Sequence, residues 1–186
     1  MRHDNFIPNI SIKSRGRLPH WQVDEAVYFI TFRLRDSIPL EAARELYLER
    51  ERILRSVSDR ARADRAFGIR LDTELDQSHG SCILREHAEI VANALKHFDR
   101  CRYELHAWCV MPNHVHVMVH VARGADIPAI VHSWKSFTAH RIDRGVIWQR
   151  EYFDRVIRCP AEFSETRQYI RANPFRAGLR GWEWIG

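Results

Sequence analysis

No run of apolar residues in this chain approaches the ~20 that a membrane-crossing helix needs. The segment from Met1 to Pro19 lacks an apolar core and has no signal-peptide shape, so a cytoplasmic location without a membrane partner is expected. There is no C-x-x-C pair, which argues against a zinc knuckle. Cys82, Cys101, Cys109 and Cys159 lie far apart and read as reduced, small apolar fillers. A P-loop, a G-x-S-x-G elbow and a G-x-G-x-x-G turn are all missing, so nothing supports triphosphatase, serine-hydrolase or dinucleotide chemistry. Lysine is scarce: 26 of the 29 basic residues are Arg.

With 186 residues, 45% of them hydrophobic, the chain can build one domain with its own core. The net charge of +5 and pI near 9.3 favour a polyanionic partner. Arg forks suit phosphate oxygens, although a GC-rich genome would give the same bias. Residues 1–19, with Arg2, Lys13, Arg15 and Arg17, show no periodicity and read as a basic arm. Residues 20–186 read as a single domain.

Strand signals fall at Ala26–Leu34, Arg102–Val110, His114–Val121 and the run that follows Tyr152. Helical spacing appears after Pro39, from Glu86 to Phe98, after Asp126, and from Pro160 to Ala172 or Asn173, where Pro174 is expected to stop the last helix. Between Ser58 and Ser81 the period is lost, and a surface excursion with at most a short helical piece is expected. The order predicts an α+β fold: a ferredoxin-like four-stranded sheet with flanking helices and a C-terminal helix bearing Tyr169.

One stretch organises the rest: Cys109-Val110-Met111-Pro112-Asn113-His114-Val115-His116-Val117-Met118-Val119-His120. Side chains alternate along a strand, so His114 and His116 share a face and two imidazoles can hold one metal ion. On the last helix, Tyr169 and Asn173 are four residues apart and share a face too. A tyrosine is a weak nucleophile unless a cation or base favours its phenolate, and a divalent ion can activate a phosphodiester for it. From spacing alone the plainer readings are polar residues on a strand and an interfacial aromatic on a helix.

Pro112-Asn113-His114-Val115-His116 resembles the His-hydrophobic-His (HUH) motif of single-tyrosine transposases. Tyr169-Ile170-x-x-Asn173-Pro174-x-x-Ala177-Gly178-Leu179 resembles the tyrosine helix of one branch, the REP-associated tyrosine transposases. Leu18–Trp21, Tyr28–Leu34, Arg102–Trp108, Ser133–Phe137 and Trp148–Asp154 are similar to further segments of that branch, in order, over roughly residues 18–180. The resemblance implies a metal-dependent endonuclease and strand transferase acting on single-stranded DNA at hairpins. Tyr169 would form a 5′-phosphotyrosyl intermediate, and His114, His116 and Asn173 would hold Mg²⁺ or Mn²⁺. It also implies a prokaryotic, nucleoid-associated protein, with a homodimer as one of two arrangements known among relatives. Arg155, Arg158, Arg167, Arg171 and Arg176 are expected along the DNA phosphates, and Trp21, Trp148 and Tyr152 to stack unpaired bases. One departure is the short segment 141–145, where the family pattern is longer. The rival readings are a non-catalytic hairpin or single-strand binding module on the same fold, and a zinc hydrolase, which would need an acid that the hairpin motif lacks.

Overall fold

The computed structural model describes residues 10–14, 19–56 and 59–186. Ile10–Ser14 (β1) and Pro19–Val23 (β2) form a separate antiparallel ribbon. Part of the expected basic arm is therefore strand; the side chains of Arg2, Lys13, Arg15, Arg17 and Trp21 lie outside the described residues. The main chain then continues as Val27–Arg33 (β3), Leu40–Ser56 (α1), Arg60–Leu75 (α2), Leu84–His97 (α3), Tyr103–Val110 (β4), His114–Val121 (β5), Ile127–Ile142 (α4), Phe153–Ile157 (β6) and Pro160–Arg176 (α5). The sheet order is β4-β5-β3-β6, and every neighbouring pair is antiparallel. This is the expected ferredoxin-like α+β fold, with the most apolar strands, β3 and β5, at the centre.

Alternation along those strands assigns two cores. Tyr28, Ile30, Phe32 and Leu34 join Val115, Val117, Val119 and Val121 on one face, beneath α3 and α4. A buried chain of hydrogen bonds fixes the helices there: Trp134 Nε1 donates to Tyr103 Oη (2.8 Å), which donates to the Leu95 carbonyl (2.6 Å). Phe29, Met118, Ala107 and Cys109 face the other way, against Phe67, Leu71 and Leu75 of α2 and Ile170 of α5. The histidines share this second face. Both faces of β5 are thus covered, and each large apolar side chain buried there contributes about 1.5–3 kcal/mol.

Two sequence expectations change. Residues 60–75 are a regular helix, because Ala63, Phe67, Leu71 and Leu75 recur at every fourth position and are all buried. Their stripe is sparse and diluted by Arg and Asp, so charge alternation obscured it. Pro174 does not stop α5, which runs to Arg176. In the last turn a proline removes one internal hydrogen bond only, and Ala177 N, Gly178 N and Leu179 N close the end on Asn173, Phe175 and Pro174 carbonyls. At residues 141–145, α4 ends on Asp143 in the left-handed conformation (φ 52°) and the chain turns at once toward Ile147.

Candidate active site

The turn Met111–Asn113 is what aims the histidines. Met111 N bonds the His114 carbonyl (2.8 Å), Leu34 N bonds the Asn113 carbonyl (2.9 Å), and Leu84 N bonds the Pro112 carbonyl (3.2 Å). The connection from α2 to α3 wraps the same turn. Its Gly80 has φ 84° and sits so close to Asp36 that a Cβ would lie 2.4 Å from the Asp36 carbonyl oxygen. Only glycine fits there.

Asn113 is fully buried and its amide is spoken for at both ends. Nδ2 donates to the Leu75 (3.1 Å) and His79 (3.3 Å) carbonyls, which turns Oδ1 toward His114 Nδ1 at 2.7 Å. An amide oxygen only accepts, so His114 carries its proton on Nδ1 and presents a bare Nε2. His116 Nδ1 is paired with Thr31 Oγ1 (2.9 Å), its cross-strand neighbour, and the ring stacks on Phe29 at 5.4 Å. The two Nε2 atoms face each other 3.0 Å apart. With His114 Nε2 bare, His116 Nε2 donates across that gap, and the rotatable Thr31 hydroxyl can serve either tautomer of His116. Burial lowers the pKa of both imidazoles, that of His116 to about 3, so both are neutral near pH 7.

Tyr169 comes to this pair from α5 of the same chain, with its ring 5.6 Å from that of His116. Asn173 Nδ2 donates to Tyr169 Oη (3.0 Å), as the i, i+4 spacing requires, and Asn173 Oδ1 is buried without a partner. Arg176 lies over the Tyr169 ring at 5.5 Å. The hydroxyl donates in turn to Asp72 Oδ2 at 2.7 Å. Burial, with Asp72 beside it, pushes the Tyr169 pKa well above the ordinary phenol value. Burial also raises the Asp72 carboxyl to about 7, opposed by its bond from Tyr169. Asp72 Oδ1 has no hydrogen-bond partner and lies 3.9 Å from His116 Nε2, too far for a hydrogen bond; with that imidazole neutral the pair is not an ion pair.

Asp72 is the site residue that the sequence reading does not reach. The signal for it was the α2 stripe: once Leu71 and Leu75 face the core, Asp72 and Asp76 must lie at its margin.

The donor set fits a divalent ion. Neighbouring ligands at about 2.1 Å from one metal stand ~3 Å apart, the spacing of the two Nε2 atoms. Each imidazole is oriented through its outer nitrogen, as metal-bound histidines are. The orphaned Asn173 Oδ1 is a third acceptor on the same face. No three His, Cys, Asp or Glu side chains converge among the described residues; two imidazoles and one amide are neutral ligands and do not specially favour a hard cation.

The expected DNA contacts divide. Arg158, Arg167, Arg171 and Arg176 are exposed, and Arg167 and Arg171 flank a shallow groove on α5 with Phe163 and Gln168. Arg155 is instead enclosed: it pairs with Glu162, bonds Thr166 Oγ1 (2.9 Å) and covers the Phe29 ring at 5.1 Å. Trp148 and Tyr152 are buried in the first core, Trp148 against Phe32 (4.9 Å) with its indole N–H on Thr138 Oγ1. Tyr152 also lines a groove beside His132, Lys135 and Arg150. No helix among the described residues is long and apolar enough to cross a membrane.

No curated protein matches this sequence. Among solved structures, a REP-associated tyrosine transposase bound to a REP hairpin is similar over 90% of this chain and 76% of its own, with a TM-score of 0.58 and 20% identity. A much looser likeness, with a TM-score of 0.38 and 16% identity, is to a putative transposase from Deinococcus radiodurans R1, covering 87% of this chain and 96% of that one. The first of these shares the fold described above. Residues 79–173, half of the chain and the stretch that carries His114, His116, Tyr169 and Asn173, match the family described as IS200-like transposases, and the chain belongs to that family.

Proposed function

We propose that this transposase is a metal-dependent single-strand DNA endonuclease and strand transferase that acts at hairpins through Tyr169, as its resemblance to the REP-associated branch implies. The observation that carries the reading is the meeting, within one chain, of the Tyr169 hydroxyl, the Asn173 amide and two neutral imidazoles whose Nε2 atoms are 3.0 Å apart. His114, His116 and Asn173 would hold Mg²⁺ or Mn²⁺, which when bound polarises the scissile phosphate.

The protein groups do the rest. Tyr169 Oη attacks phosphorus, the bond to the 3′ oxygen breaks, and the products are a 5′-phosphotyrosyl enzyme and a free 3′-OH. Attack by a strand's 3′-OH reverses the step and rejoins DNA. Asn173 holds the hydroxyl from one side and so fixes the line of attack. Exposed Arg158, Arg167 and Arg171 follow the phosphates of the hairpin; such contacts position the stem without specifying its sequence. Binding should therefore weaken steeply with salt. The solved relative bound to a REP hairpin supports a hairpin partner of this kind. Tyr169 packs on its own chain's His116, which supports a tyrosine that serves the histidines of its own chain. We place the domain at 20–186, with the preceding residues as a basic arm, and the working compartment at the nucleoid of a prokaryotic cytoplasm.

The test is a labelled single-stranded hairpin, drawn from DNA flanking the gene, incubated with Mn²⁺ or EDTA and run on a denaturing gel. A metal-dependent protein–DNA band that Tyr169→Phe abolishes, with hairpin binding retained, is expected. Cleavage without a covalent band would assign hydrolysis instead, and binding with neither product would assign a binding module.

A further inference from the structure

A tyrosine that becomes a phosphate ester must lose its proton, and the structure shows where that proton already points. Tyr169 Oη donates to Asp72 Oδ2 at 2.7 Å. Its other polar neighbour, Asn173 Nδ2, is a donor and can take nothing. The histidines are not placed to accept the proton, since His114 Nδ1 is tied to Asn113, His116 Nδ1 to Thr31, and the two Nε2 atoms face each other. Among the described residues, Asp72 is therefore the acceptor in contact with the nucleophile.

We propose that Asp72 is the catalytic base of Tyr169, an assignment that rests on the tyrosine reading above. As the Tyr169 Oη–P bond forms and the P–O3′ bond breaks, the hydroxyl proton passes to Asp72 Oδ2 and the departing 3′ oxygen takes a proton from water. In rejoining, the 3′-OH gives its proton to water, the Oη–P bond breaks, and Asp72 returns its proton to the tyrosine.

The surroundings suit this role. Asp72 sits on α2, a helix outside the stretch that matches the family, and reaches the site because Leu71 and Leu75 anchor that helix in the second core. A cleft of about 160 Å³ between α2 and α5 opens onto Asp72 and Tyr169, with Phe29, Arg65 and Arg155 in its walls. Glu162 and Glu165 line it as well, and Arg65 and Arg155 both pair with Glu162, so the cleft leaves the hydroxyl and the carboxyl reachable while its cations serve the fold. The second Asp72 oxygen is buried and free of hydrogen bonds, so the carboxyl is not engaged in holding any other element.

Three variants and a small carboxylate decide the matter. Asp72→Asn keeps the shape and one acceptor oxygen but cannot take a proton. It should slow formation of the covalent band by about 10²–10⁴-fold, with hairpin affinity and thermal midpoint close to wild type. Rejoining, started by adding a strand with a 3′-OH to the preformed phosphotyrosyl adduct, should fall by a similar factor. Asp72→Ala should regain part of its rate in added formate, and Tyr169→Phe should regain none. If Asp72→Asn forms the band within about fivefold of wild type, the assignment is wrong. If it is slow but formate leaves Asp72→Ala unchanged, Asp72 only holds the tyrosine and the assignment is again wrong. If the wild-type protein itself forms no band, the tyrosine reading falls and this inference falls with it; a wild-type band separates the two.

Discussion

Replacing Asn113 by Ala tests the part of the site that is hidden from substrate. The amide makes three hydrogen bonds, to the Leu75 and His79 carbonyls and from His114 Nδ1. Leu75 O also accepts from Ser78 N at 3.0 Å and keeps a partner after the change. The His114 N–H and the His79 carbonyl lose their principal partners inside the protein. A buried group left unpaired costs about 1–3 kcal/mol, and an ordinary hydrogen bond contributes about 1. The sum is about 2–4 kcal/mol, which in a chain of this size lowers the thermal midpoint by roughly 5–15 °C. Freed from Asn113, His114 can also move its proton to Nε2, the atom that faces the metal position. Mn²⁺ affinity should then fall about 10–100-fold, as it does when an outer partner of a metal-bound histidine is lost. Urea unfolding and calorimetric Mn²⁺ titration read the two effects separately. An Asn113→Ala protein within about 0.5 kcal/mol of wild type, with unchanged Mn²⁺ affinity, would show that the amide neither clamps the turn nor sets the tautomer.

Other outcomes follow from single contacts. Thr31→Val leaves His116 Nδ1 with no side-chain partner at the sheet centre and should weaken Mn²⁺ binding while the hairpin still binds, measurable by the same titration with and without DNA. Burial lowers the Lys135 amine to about 8, below its unfolded value of 10.5. Between those pH values the unfolded chain binds the extra proton, so stability from this group rises with pH across the window. The gap in unfolding free energy between wild type and Lys135→Met should shift in favour of wild type between pH 8 and 10.5. Residues 182–186 line the free edge of β4, where Trp108 N and Val110 N donate to Gly186 and Trp184 carbonyls, each at 3.0 Å. Deleting them bares that edge, and sedimentation should show more self-association than the full chain has. Arg167→Ala with Arg171→Ala should weaken hairpin binding and flatten its salt dependence, while the rate of covalent band formation at saturating DNA changes little.

Much of this was legible in the residues. Alternating Val and His in 114–121 dictates two faces, and an i, i+4 pair on a helix dictates that Tyr169 and Asn173 meet; both are local geometry, which spacing alone determines. The order of strand and helix signals likewise fixed an α+β sheet, because antiparallel neighbours with helical crossovers leave few ways to bury those faces. What spacing does not contain is which distant element covers a face. Arg155 read as a cation for DNA, but burial beside Glu162 and Phe29 makes it part of the fold. Trp148 and Tyr152 read as platforms for bases, yet the sheet needed their area for its first core. Asp72, almost a hundred residues from Tyr169, had no local mark of its own. It reached the hydroxyl because a weakly patterned helix, α2, was drawn onto the histidine face by Phe67, Leu71 and Leu75, and burial by a distant partner is a property of the packed chain and not of any stretch of it.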